Sequence, residues 1–439
     1  MISIQKLKQA IFESQELNQA KLVKRKEYLD WLAQAAHNPL IKAVVGFRRS
    51  GKSFLLKMLS LSLIDDGVAP SNIFYLNFEN DLLIDIKNVK DLRYLWEMYL
   101  REIANLNSPI YIIWDEVQLI QGWEKLVRSL YEQNKYNIFI SGSNSQLLSG
   151  ELSSSLSGRS LELEIRPFSF REYLNYRRLD LSSYYSHKPQ IDQAFMIYLY
   201  RGGIAEQFDL DANFSANYQS GLIQKIILDD IVKRYNIDNV NTLREVFEFI
   251  RGNITSTLSL RKIVNRLDNQ GLKVSPTTID NYINYWGTTY ALQRLTKFDY
   301  RLSRIFDRSA KYYVVDNLLI RGGPEADEKR LENLVYNELI RRYGHKNIFF
   351  GQDANGYEID FIVKSQEKFL TIQVCLQLND QNAKREFGNL ILANKHLKSQ
   401  GTVLFIDDIR THSTPQNAQP VIEWLKHIPL SPAGAKRLI

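Results

Sequence analysis

Five short stretches in the first 165 positions, near 41–45, 73–78, 109–115, 137–142 and 160–165, are apolar almost without interruption, and helical spacing of apolar residues fills the segments between them. Short unbroken apolar runs predict strands buried on both faces, and their alternation with helices predicts an α/β fold around a parallel sheet. From 171 to about 240 the pattern is helical throughout. Between 241 and 320 it predicts helices over Leu243–Ile250 and Leu260–Asn269, a third helix opened by Ser275 as cap with Pro276 at its first position, and a strand at Tyr312–Val315. The stretch Arg321-Gly-Gly-Pro-Glu-Ala-Asp breaks the composition and reads as a linker. Beyond it come a helix over Arg330–Tyr343, strands at Tyr357–Lys364 and Phe369–Leu378, a helix near Asn382–His396 and a strand at Thr402–Ile406, a second α/β unit.

Length and composition narrow the classes. A chain of 439 residues exceeds what one core fills, and with 44% hydrophobic and 24% charged residues it is ordinary globular material. No apolar run approaches the roughly 18 residues of a membrane span, and charges interrupt the amino-terminal MISIQKLKQAIFESQ too often for a secretory signal. One cysteine, Cys375, excludes an internal disulfide framework and a multi-cysteine zinc site, which fits a reducing, cytoplasmic setting. The net charge of +7 permits attraction to nucleic acid but is too thinly spread to argue for it.

The chemistry is concentrated at three strand ends. Gly46-Phe47-Arg48-Arg49-Ser50-Gly51-Lys52-Ser53 matches GxxxxGK[ST], and it follows one predicted strand and opens a helix. In that context the loop's backbone N–H groups curl around phosphate oxygens, Lys52 reaches the β- and γ-phosphates, and Ser53 offers its hydroxyl to Mg²⁺. The expected ligands are therefore ATP and Mg²⁺. A second run, Pro109 to Trp114, ends in Asp115-Glu116; Asp115 is placed to hold Mg²⁺ through water and Glu116 to polarise an attacking water. The third run ends in Ser141-Gly-Ser-Asn144, so that Ser143 or Asn144 would sense the γ-phosphate.

These motifs, with Gly122-Trp-Glu-Lys125, Gly142-Ser-Asn-Ser145 and Gly158-Arg159, resemble the prokaryotic P-loop ATPases of the AAA-like and signalling (STAND) kind, which carry GxRRxGK[ST], DEIQ, a WEK segment, GSNS and a GR element. The resemblance spans almost the whole chain. It implies a five-stranded parallel sheet of the ASCE P-loop type, in which an extra strand separates the P-loop strand from the carboxylate strand. It also implies that Arg159 presents a cation to phosphate, in the same chain or in a neighbouring subunit. Arg48 and Arg49 add positive charge to the loop or anchor a neighbouring domain. Tyr200-Arg-Gly-Gly-Ile-Ala-Glu206 aligns with the GGxPE element that signalling ATPases place near the adenine or ribose, with Ala205 in the proline's position; a plain interhelix turn is the alternative.

The expected organisation is amino-terminal helices over 1–38, the ATPase core over 39–170, a helical lid over 171–240, a winged helix over 241–322 and a carboxy-terminal domain over 323–439. The third winged-helix segment, SPTTIDNYINYW, has no lysine or arginine to read bases. The following wing carries Arg294, Lys297, Arg301, Arg304, Arg308 and Lys311, interleaved with Phe298, Tyr300 and Phe306, and reads as a patch for phosphate backbone. The competing reading is an internal lever with no DNA contact.

The carboxy-terminal order resembles the PD-(D/E)xK (restriction-endonuclease-like) nuclease fold. Strand alternation puts Glu358 and Asp360 on one face and Thr371, Gln373, Cys375 and Gln377 on another. Relative to an active nuclease of that fold, Gln373 replaces the second acid and Cys375 the lysine. With Glu332 supplying charge, the site reads as a degenerate scaffold kept for binding or assembly, with nothing in place of the lysine. Two functions stay open: an Mg²⁺-dependent ATPase working on nucleic acid, in defence or mobility, or a nucleotide-dependent switch that binds a protein partner or its own copies; a third, an active ATP-gated nuclease, needs a metal site this chain has largely lost.

Overall fold

Strand β1 (Ile41–Val45) is buried at all five positions, which requires neighbours on both edges and helices on both faces. In the computed structural model, which describes residues 2–16, 23–143, 158–302, 304–353, 355–365, 368–410 and 417–426, it has them. β1 pairs in parallel with β4 (Tyr136–Gly142) and with β5 (Ser160–Glu164), Ile41 lying opposite Ser160 and Val45 opposite Glu164. Strands β2 (Ile73–Asn77) and β3 (Ile110–Asp115) complete a parallel sheet in the order β2-β3-β4-β1-β5. Thus β4 separates the P-loop strand from the carboxylate strand, as the resemblance implies.

The crossover helices are α3 (Lys52–Asp65), α4 (Val89–Glu102) and α5 (Trp123–Tyr131). Asn88 and Asp91 close a capping box at the start of α4, and Tyr99 from that helix stacks on Phe74 of β2 at 4.2 Å. Two further helices, α1 (Ile4–Gln15) and α2 (Lys26–Ala36), precede the sheet; Tyr28 and Leu32 of α2 share a core with Leu55 and Leu59 of α3.

The chain divides into two compact units at Arg166–Pro167. The second begins with helices α6 (Phe170–Tyr176), α7 (Lys188–Arg201) and α8 (Ala212–Lys225), the last continuing into a wide π-turn at Ile226–Val232. Then come α9 (Val240–Gly252), β6 (Thr257–Leu258), α10 (Leu260–Asp268), α11 (Pro276–Thr288) and the hairpin β7 (Leu292–Asp299)–β8 (Arg304–Val314). Ser275 caps α11 by accepting from the Thr278 N–H, with Pro276 at the first turn. The remaining elements are α12 (Asp327–Tyr343), β9 (Ile348–Gln352), β10 (Glu358–Ser365), β11 (Lys368–Leu378), α13 (Asp380–Leu397), β12 (Gln400–Asp408), β13 (Ala418–Pro420) and α14 (Val421–Lys426).

One sheet runs through the expected boundary at 322. Its order is β13-β12-β11-β10-β9-β7-β8-β6, and β7 joins β9 in parallel through Lys297–Phe350 and Phe298–Gly351. The stretch expected as a linker is tied down, because the Arg330 guanidinium donates to the carbonyls of Gly322 and Gly323. Glycine and proline here mark a turn between elements of one sheet, whose unpaired edge at β7 is satisfied by β9. Helix α12 is buried along most of its length, and Asn333 and Asn337 bond the N–H and C=O of Val314 at 2.9 Å each.

Candidate functional site

The glycine loop follows β1 and bends back over the sheet. Gly46 has φ +139°, and a Cβ built there would overlap the Ile165 carbonyl oxygen, so only glycine lets the backbone turn at that point. Phe47 is buried beneath the loop, Arg49 is exposed in the left-handed region, and Arg48 lies 3.7 Å from Glu79. The Lys52 ammonium folds across the loop, donating to the carbonyls of Gly46 at 3.1 Å and Phe47 at 3.2 Å, and stands 3.7 Å from Glu116 Oε1.

Next to it, Ser53 lies close enough to Asp115 to favour its charged form. Asp115 is fully buried, and burial first, then the adjacent Glu116 charge, pushes its carboxyl up to about 6, against the pull of Ser141, Ser53 and Lys52. Glu116 is in the left-handed region at φ 54°, and Gln118 Nε2 donates to its Oε2 at 2.5 Å. The residues fit a triphosphate with Mg²⁺. The Ser53 hydroxyl and the Asp115 carboxylate are neighbours where a hard cation would be held, and Ser50 Oγ in the loop is buried with no hydrogen-bond partner.

Three residues of this site escape the sequence reading. Ser141, near the end of β4, donates to Asp115 Oδ1 and accepts the Glu116 N–H at 3.1 Å, so one hydroxyl sets both acids. Tyr75 of β2 donates to the Ser53 carbonyl at 3.1 Å and lies 3.4 Å from Asp115 Oδ2. Arg25, just before α2, donates to the carbonyls of Ser50 and Arg166, each at 2.8 Å, and buttresses the loop from behind. Ser141 has a signal in the sequence, a polar residue inside an apolar run; Arg25 and Tyr75 have none.

Arg159 is not brought to the loop. Its carbonyl accepts the Ile41 N–H, at the end of β1 opposite the glycines, about 16 Å away along a five-residue strand. That exceeds the reach of an arginine side chain, so the expectation of a cation for the phosphates of its own chain is corrected. Asn144 lies outside the described residues; Ser143 is buried.

In the second unit the wing patch needs correction. A register shift between Thr296 and Lys297 breaks the strand alternation, leaving Arg294 exposed and Lys297 half-buried. Phe298 and Tyr300 belong to the core with Ile359 and Phe387, so neither can stack on a base. Arg301 pairs with Asp353 at 2.7 Å. The side chains of Arg304, Phe306 and Arg308 lie outside what is described. Lys311, counted in the patch, is buried inside the unit.

Lys311 reaches the carboxy-terminal cluster, where no lysine was expected. Its Nζ lies 3.1 Å from Glu332, 2.8 Å from Glu358 and 3.6 Å from Asp360. Gln373, in the second acid's place, accepts the Asp360 N–H through its carbonyl oxygen at 2.7 Å, and its amide donates to the buried Glu386 at 2.8 Å. Cys375 is packed among apolar side chains, where burial pushes its thiol up to about 12. Among the described residues no group of three or more acidic, histidine or cysteine side chains is disposed to hold a metal, and no helix is long and apolar enough to cross a membrane.

The family model of the AAA domain matches residues 38–174, and that of a domain of unknown function matches 192–321. Together with the parallel sheet and its glycine loop, this shows the class of the first unit's core: an AAA-type P-loop domain. An uncharacterized protein of Haemophilus influenzae is 32% identical over 411 residues, covering 92% of this chain and 98% of its own. One of Methanocaldococcus jannaschii is 31% identical over 400 residues, covering 89% and 87%. The chain belongs to the family of these two proteins. The Walker-type ATPase paby2304 of Pyrococcus abyssi overlaps 70% of this chain and 98% of its own at 13% identity, with a TM-score of 0.46.

Proposed function

We propose that the chain hydrolyses ATP with Mg²⁺ and uses the cycle to rearrange its domains. The observation that carries this reading is the Lys52–Glu116 ion pair beside the Ser141–Asp115 hydrogen bond, with Ser53 next to Asp115. Mg²⁺, held by Ser53 and Asp115, would neutralise charge on the β- and γ-phosphates. Lys52 would leave its two carbonyls for the phosphates, and Glu116, held by Gln118, would orient and polarise the attacking water. Ser141 fixes the acids relative to each other. Arg159 would act only on the nucleotide of a neighbouring copy.

Ser141→Ala tests this arrangement. It removes a hydrogen bond to a charged group, a loss of about 1.5–3 kcal/mol, so the Mg²⁺ concentration for half-maximal turnover should rise roughly 10- to 100-fold. Ser141→Thr should restore the wild-type value. An unchanged Mg²⁺ requirement in Ser141→Ala would remove Ser141 from the site.

The nucleic-acid output rests on Arg294 and Lys297. Replacing both by Ala should weaken binding to DNA of any sequence and reduce the slope of log affinity against log salt by about 0.9 per lost contact. The second reading, a nucleotide-dependent switch that binds a protein partner or its own copies, is favoured by the burial of Phe298, Tyr300 and Lys311. An unchanged affinity and slope in the double variant would decide for it.

A further inference from the structure

Lys311 sits in the interior of the eight-stranded sheet, opposite Leu295 of β7 and Thr257 of β6, with its side chain 2% exposed. A lone ammonium at such a place is costly and needs carboxylates. Three come from elsewhere in the chain: Glu332 from the middle of α12, and Glu358 and Asp360 from alternate positions at the start of β10. The ladder between β10 and β11 ends at Phe361–Ile372, and side chains take over beyond it, the Val374 N–H donating to Asp360 Oδ2 at 2.8 Å. Tyr313 donates to Glu332 Oε1 at 2.6 Å, and the Phe350 ring lies 5.8 Å from the ammonium.

The charges behave as a cage around a cation. Burial pulls the Lys311 pKa down, but Glu332, Asp360 and Glu358 outweigh it and hold the ammonium firmly charged. Three acids around one cation leave excess negative charge, and burial, then Glu332, pushes the Asp360 carboxyl well up. A divalent ion would need six or more oxygens at about 2.0–2.6 Å around one point. That point is taken by Nζ, and the Gln373 side chain beside the acids is spent on the Asp360 N–H and Glu386.

We propose that Lys311 is the resident cation of the Glu332–Glu358–Asp360 cluster, standing where a divalent metal would stand, so that the cleft above it is a metal-free site. That cleft, about 1110 Å³, opens between β10 and α13, with Lys384 and Lys395 on its exposed helix wall. A phosphodiester entering it meets cations at the edge but neither a metal to clamp it nor a metal-activated water, so it is held without being cut. The inference stands apart from the ATPase reading, since none of its residues belongs to the nucleotide loop.

The test is a Mn²⁺ titration of the full-length chain without nucleotide, in an Asp115→Asn background that silences the P-loop acid. The otherwise wild-type cluster should show no saturable site tighter than about 1 mM, the weak end of carboxylate cages. Lys311→Met, similar in length and neutral, should gain one site at least about tenfold tighter, and adding Asp360→Asn should abolish it. Mn²⁺ should also raise the melting temperature of Lys311→Met but not that of the Lys311 protein. Saturable Mn²⁺ binding with Lys311 present, lost on Asp360→Asn, overturns the proposal. So does a folded Lys311→Met that gains no site. If Lys311→Met does not fold, the comparison of Lys311 proteins with and without Asp360→Asn still decides, because it needs no lysine variant: no binding in either supports the proposal.

Discussion

Glu116→Gln should keep ATP bound and lose turnover by roughly two to four orders of magnitude, the usual contribution of a positioned general base. The substitution keeps the shape of the side chain, its place 3.7 Å from Lys52 and a group able to meet the Gln118 amide. What it removes is the charge that polarises water. The backbone here is held in the left-handed region, uncommon for glutamate, and such local strain persists only where surrounding contacts over-determine it. Lys52→Ala should fail differently. It removes the ammonium that now lies on the Gly46 and Phe47 carbonyls, so ATP affinity itself should fall. Equilibrium binding of a fluorescent ATP analogue and steady-state phosphate release separate the two. Wild-type turnover in Glu116→Gln would end the general-base assignment, and unchanged affinity in Lys52→Ala would end the phosphate-binding one.

How much of this was legible in the sequence depended on how local the determinants are. The five strands of the first sheet announce themselves because each is buried on both faces and therefore apolar along its whole length, and the glycine loop is a contiguous motif. Ser141 lies inside such a strand, and only the geometry shows that its hydroxyl turns to Asp115 rather than into the core. Lys311 was misread for a different reason. Counted along the chain it belongs to a basic stretch, yet its nearest acid partner in sequence is 21 residues away on a helix, and the other two follow later on a strand. Charge counting cannot see a strand pairing that turns one lysine of a row inward. The boundary at 322 failed on the same ground: the pairing of β7 with β9 is non-local, and glycine and proline report turns, not the limits of a sheet.

The paired glycines before Ala205 give the other large expected effect. The structure sets Gly203 against the backbone of Phe168: the Phe168 N–H donates to the Gly203 carbonyl at 2.8 Å, and the Gly203 N–H donates to Asp316 Oδ2 at 2.7 Å. A Cβ at Gly203 would overlap the Phe168 carbonyl oxygen, which also accepts from the Tyr198 hydroxyl. Backbone cannot step aside as a side chain can. Gly203→Ala must therefore separate two segments and break bonds to a buried carboxylate, a cost on the order of 3 kcal/mol or more. Gly221→Ala, in α8 with nothing within 4 Å of a new Cβ, is the matched control and should gain about 0.5–1 kcal/mol. Urea unfolding of both variants, with ATP binding measured on the folded fraction, distinguishes a packing role from a nucleotide contact. On the packing reading Gly203→Ala loses stability while its folded molecules bind ATP as before. Stability within about 0.5 kcal/mol of wild type, the ordinary range for an uncritical surface change, together with weakened ATP binding, would return these glycines to the nucleotide and defeat the packing argument.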